Sequence, residues 1–89
     1  MSVEVKDIQE LELSYSCWMN VDVNDLENVE LWRSGRVKRF WVKYCRLFME
    51  LDDGTFVEED INYELCEDMK WPEKIKALDA DNNWVEMKA

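Results

Sequence analysis

Leu11-Glu12-Leu13-Ser14-Tyr15-Ser16-Cys17-Trp18-Met19-Asn20-Val21-Asp22-Val23 is the stretch on which the fold turns. Its odd positions are all apolar or aromatic, and its even positions are polar apart from Trp18. Successive side chains of an extended chain point to opposite faces, so a period of two means strand with one face buried. Thirteen residues is long for a single strand, and a bend or bulge is expected within it. Trp18, on the polar face, is either covered by another element or exposed for binding.

Outward from this stretch, polar residues 24–28 read as a turn, and Val29-Glu30-Leu31-Trp32 as a short strand. Ser34-Gly35 marks a tight connection. Residues 36–51 fit two periods. A helix would gather Val37, Phe40, Trp41, Tyr44, Cys45 and Phe48 on one face. A strand would turn Phe40, Val42 and Tyr44 one way and Cys45, Leu47, Met49 and Leu51 the other, with a bulge between. The richness in Val and aromatic residues favours strand. So does the hairpin signal Asp52-Asp53-Gly54 between Leu47-Phe48-Met49-Glu50-Leu51 and Thr55-Phe56-Val57. Residues 60–69 carry Ile61, Leu65, Cys66 and Met69 at helical spacing behind Asp60, an acceptable N-cap, with Pro72 beyond. Residues 75–87 read as a second hairpin about the polar turn 79–83. The expected fold class is α+β: one domain over residues 1–89, a small antiparallel sheet of four to six strands with one short helix packed on it.

Composition narrows the function. With 47% hydrophobic residues, five Trp, three Tyr and three Phe, the chain has the apolar content that acidic disordered tails lack. There is no histidine, which removes the usual general base, proton shuttle and zinc ligand. Cys17, Cys45 and Cys66 are too dispersed for a zinc site, and their odd number is unlike a secreted disulfide scaffold. They are expected to be small reduced thiols. Neither 52–54 nor 79–83 completes a calcium loop, and two isolated glycines make no phosphate cradle. No catalytic residue, cofactor or metal is expected. The first residues show no basic and apolar leader, and no apolar run is long enough to span a membrane, so the cytoplasm is the expected location.

Charge is the strongest feature: 21 acidic residues against 11 basic ones, a net −10. Residues 1–32 hold eight acids and one base, residues 33–46 six bases and no acid, and residues 47–89 thirteen acids and four bases. The basic strip Arg33, Arg36, Lys38, Arg39, Lys43 and Arg46 is expected to pair with acidic neighbours across the sheet. A nucleic-acid contact interleaved with Phe40, Trp41 and Tyr44 is the weaker reading, because the acidic flanks oppose it.

The acids give the functional expectation. Glu50, Asp52, Asp53, Glu58, Glu59, Asp60, Glu64, Glu67 and Asp68 put nine carboxylates within nineteen residues. Carboxylates on a rigid surface can follow the spacing of duplex phosphates and occupy the basic groove of a nucleic-acid-binding protein. In size and composition the chain is comparable with phage-encoded nucleic-acid mimics and with anti-restriction or anti-CRISPR inhibitors, although no motif ties it to a family. These nine residues, with Trp18 or Trp32 as aromatic anchors, are the candidate contacts for a basic protein partner. Direct nucleic-acid or membrane binding is not expected. The alternative is a structural or assembly subunit, homodimeric through sheet edges or exposed tryptophans, whose acidity serves solubility.

Overall fold

The computed structural model describes residues 3–14, 18–61 and 72–87. Within them the fold is α+β, with the strands in two antiparallel sheets instead of one. The first sheet contains β1 (Glu10–Ser14), β2 (Trp18–Asp22), β6 (Lys74–Leu78) and β7 (Trp84–Met87), in the order β2-β1-β6-β7. The second contains β3 (Val37–Lys43), β4 (Arg46–Leu51) and β5 (Phe56–Asp60), in sequence order.

The thirteen-residue alternation is two strands. β1 and β2 pair antiparallel, with Leu11 opposite Val21, Leu13 opposite Met19 and Ser14 opposite Trp18. Three residues separate the paired ends, so parity is conserved across the reversal. Odd positions of both strands therefore share one face, and the sequence shows no break in phase where the chain folds back. Leu11, Leu13, Met19 and Val21 are buried there, joined by Ile75 and Ala77 of β6.

Residues 36–51 are strand, as the composition favoured, but the expected bulge between the two halves is a hairpin. Val42 pairs with Leu47 and Lys43 with Arg46, leaving only Tyr44 and Cys45 in the turn. Both have left-handed backbones, φ 52° and 56°. This is the twist that a two-residue hairpin needs and that Asn-Gly usually supplies. An even-length turn reverses parity, so Phe40 and Val42 share the inner face with Leu47, Met49 and Leu51. A true irregularity lies at the start of β3, where Lys38 is the extra residue between the Val37–Leu51 and Arg39–Glu50 pairs. The hairpins at 52–54 and 79–83 form as read.

Two expectations are corrected. Residues 29–32 are helical, within α1 (Val29–Arg33), not extended. A strand would set Trp32 and Glu30 on one face, whereas a helix separates residues two apart. Trp32 can then be fully buried while Glu30 stays exposed. The second correction is chemical: Cys45 is disulfide-bonded, not a reduced thiol. The other two cysteines, Cys17 and Cys66, lie outside the described residues, as does the helix read over 60–69 beyond its first two positions. Of those two, Asp60 is the last residue of β5 and Ile61 follows it.

One hydrophobic cluster draws on both sheets and on α1. Trp32 joins it, tilted against Phe40 with ring centroids 5.1 Å apart. Its indole N–H donates to the Ile8 carbonyl, and the Arg33 guanidinium donates to the carbonyls of Ile8 and Lys6. These bonds tie the N-terminal segment to α1.

Candidate functional site

The six candidate carboxylates within the described residues do not form one exposed acidic face. Arg39 and Glu50 are directly opposite on β3 and β4, and they pair through Nε and Oε1. Arg36 reaches Asp52 at 3.2 Å and Asp53 at 3.3 Å across the β4–β5 turn. Arg46 bridges Glu58 at 3.1 Å and Asp60 at 2.6 Å on β5. Three of the six bases of the strip, Arg36, Arg39 and Arg46, thus pair with acidic neighbours, as the strip's position between two acidic blocks implied, while Arg33 donates to backbone carbonyls. Such exposed pairs contribute little individually to stability, about 0–1 kcal/mol each. Their larger consequence is to cancel charge locally.

Glu59 is the one buried charged residue among those described. The pleat turns it inward opposite Leu47. Its carboxylate accepts from the backbone N–H groups of Glu27 and Asn28, at 2.9 and 3.2 Å, and from the Asn28 side-chain amide at 3.1 Å. It therefore holds the entry to α1 and is not a surface contact. Glu59→Ala should lower the unfolding free energy by about 2–3 kcal/mol, because it strands buried donors bonded to a charge. Glu59→Gln should recover part of that loss, with urea midpoints as the readout. Trp32, an expected anchor, is fully buried and also unavailable to a partner. Trp18 begins β2, but its side chain lies outside the described residues, as do Glu64, Glu67 and Asp68.

Asp53 shows how strongly the acidic turn is organised. The Thr55 hydroxyl and backbone N–H donate to its carboxylate, and Arg36 lies beyond. The Thr55 bonds, foremost that of the hydroxyl, and then the Arg36 charge hold its pKa below the ordinary aspartate value. A depressed folded-state pKa stabilises the fold at pH values above the ordinary aspartate pKa, near 4, and that stability is lost as the pH falls through the folded value. The urea midpoint should accordingly fall in acid, and Asp53→Asn should lose less on the same descent.

The acids that make no ion pair among the described residues lie elsewhere. They include Glu10, Glu12, Asp22, Asp25, Glu27 and Glu30, from the first half of the chain. Glu10 and Asp22 face each other directly across β1 and β2, a like-charge pairing that costs stability. Between β2, the 3-10 turn at Val23–Asp25, and the end of β5 runs a groove of about 280 Å³. Asp22, Asp25, Glu27 and Asp60 line it with Asn20, Leu26 and Ile61. Of the candidate contacts, Glu59 and Asp60 border this groove, Glu59 buried and Asp60 exposed. Sequence reasoning missed Asp22, Asp25 and Glu27 because they are dispersed through a polar turn, whereas 50–60 is dense. The missed signal was the absence of any base among residues 7–32.

No group of three or more Cys, Asp or Glu side chains among the described residues is placed to hold a metal ion. No helix of the described residues is long and apolar enough to cross a membrane. No protein-family model matches the chain, and no curated protein or solved structure matches it.

Proposed function

We propose that this chain is a non-enzymatic binding protein that docks on the basic surface of a nucleic-acid-binding protein and blocks it by presenting carboxylates. The observation that carries the reading is the segregation of charge. The basic strip spends Arg36, Arg39 and Arg46 on the acids of 50–60. Of the acids lining the groove, Asp60 is held by Arg46, whereas Asp22, Asp25 and Glu27 make no ion pair among the described residues. The groove's lining is mainly polar and acidic, with Leu26 and Ile61 among it, and suits arginine or lysine side chains, whose heads are cationic and whose stems are apolar. The Glu10–Asp22 opposition supports the same reading: the Asn20 amide and the Asn24 backbone N–H donate to these carboxylates, but both donors are neutral, and a cationic partner would relieve the like-charge pairing.

In this reading the protein acts where its target is, in the cytoplasm. The disulfide at Cys45 weighs against that location, because reducing compartments keep thiols reduced.

The test is capture of heparin-binding proteins from a lysate on the immobilised chain, in a salt series and with competing duplex DNA. Raising salt from about 0.1 M to about 1 M shrinks the screening length from about 10 Å to about 3 Å. Captured proteins should be released over that range and displaced by the duplex. Capture that is indifferent to both would refute charge mimicry.

A further inference from the structure

The outer face of the three-stranded sheet carries a second surface, which meets the groove at Asp60. Alternation along the strands places Arg39, Trp41 and Lys43 of β3 there, with Arg46, Phe48 and Glu50 of β4 and Phe56, Glu58 and Asp60 of β5. Trp41 stacks on Phe48 with centroids 5.6 Å apart and planes 3° from parallel. Phe56 meets Trp41 edge-on at 5.7 Å, and the Arg39 guanidinium lies 5.4 Å from the Trp41 ring centroid. Phe56 is 60% exposed. Trp41 and Phe48 are half-buried beside it. The solvent side of an antiparallel sheet is ordinarily polar, and an exposed aromatic edge continuous with two further rings marks an interaction surface.

The charges on this face select its occupant. Among the described residues of this face, three cations, Arg39, Lys43 and Arg46, stand with three anions, Glu50, Glu58 and Asp60, a balance of charge in a chain that carries −10 as a whole. A phosphate backbone meets no net positive field here and three carboxylates. A strongly basic protein gains nothing here that the acidic remainder does not offer better. The same face of a second copy presents aromatic rings and both signs of charge, so cations of one copy can meet anions of the other. An isologous contact of this kind is self-complementary. We propose that the Trp41–Phe48–Phe56 face is a homodimer interface. A patch three strands wide falls short of the roughly 800 Å² per partner of a standard stable interface, so the dimer is weak.

Sedimentation equilibrium tests this over chain concentrations from about 10 µM to about 1 mM, at low and high salt. The expected result is a monomer–dimer equilibrium with a dissociation constant of about 10–500 µM. It should tighten as salt screens the net charge, the opposite of the salt response expected at the groove, so the two readings fail separately. Phe56→Ser, at an exposed position, should weaken the dimer at least tenfold with an unchanged far-UV circular dichroism spectrum. Trp41→Leu provides an independent second variant. A chain monomeric throughout the range would overturn the proposal, as would a dimer indifferent to both substitutions. Quenching of tryptophan fluorescence by a single-stranded oligonucleotide, abolished by Phe56→Ser, would overturn it in favour of a base-stacking platform.

Discussion

Trp32→Ala should lower the unfolding free energy by about 3–5 kcal/mol, the cost of removing a large aromatic from a core. Trp32 is fully buried, touches Phe40 and donates its indole N–H to Ile8, so truncation opens a cavity and leaves one acceptor of the N-terminal segment with a partner fewer. A domain of this size has about 4–13 kcal/mol of stability in total. The variant should therefore unfold at much lower urea, or be unfolded at 37 °C. Trp32→Phe keeps most of the volume and loses the N–H, and should cost less than half as much. Equilibrium denaturation followed by far-UV circular dichroism separates the two, provided the slope with denaturant is unchanged. A Trp32→Ala midpoint within error of the parent would mean that α1 does not close this core.

Reduction is the second large effect. Cys45 is disulfide-bonded, and Cys17 and Cys66 are the only other cysteines in the chain. Whichever is the partner, the closed loop spans roughly 20–30 residues, and releasing it should cost about 3–4 kcal/mol through the entropy returned to the unfolded chain. Cys45 is also buried and occupies a left-handed position of the β3–β4 turn, so the crosslink anchors a turn that lacks the usual glycine. A phosphine reductant should lower the thermal midpoint markedly. Cys45→Ser should show the lower midpoint from the outset and no further response to reductant. An unchanged midpoint on reduction of the parent would exclude a stabilising crosslink.

These effects show which parts of the fold the sequence displayed. Period-two alternation revealed the strands, because each has one buried face. It concealed the β1–β2 reversal, because a three-residue separation keeps parity, and it made the β3–β4 turn resemble a bulge, because a two-residue turn inverts parity. α1 was misread because five residues are too few for a helical period, and burial of Trp32 decided the matter. The Cys45 disulfide was hidden by an odd cysteine count.

The candidate contacts fared differently. A dense acidic run looked like a docking face, but sequence density does not show what each carboxylate touches. The arginines that cancel Glu50, Asp52, Asp53, Glu58 and Asp60 lie 11–17 residues away in the chain and are brought alongside by strand pairing. Inward-pointing Glu59 follows from register, which periodicity alone did not fix. The pairing of the basic strip with its acidic neighbours was legible, because an antiparallel hairpin sets adjacent segments side by side. The aromatic face escaped notice because Trp41 and Phe48 fit a helix face as readily as a strand face.

The most direct test of the central claim compares two charge-neutralised variants in the same capture experiment. One carries Asp22→Asn, Asp25→Asn and Glu27→Gln at the groove, and the other Asp52→Asn and Asp53→Asn at the turn already neutralised by Arg36. The groove variant should lose the salt-sensitive, DNA-displaceable partners while the turn variant retains them. Retention by the groove variant, or equal loss from both, would contradict the claim.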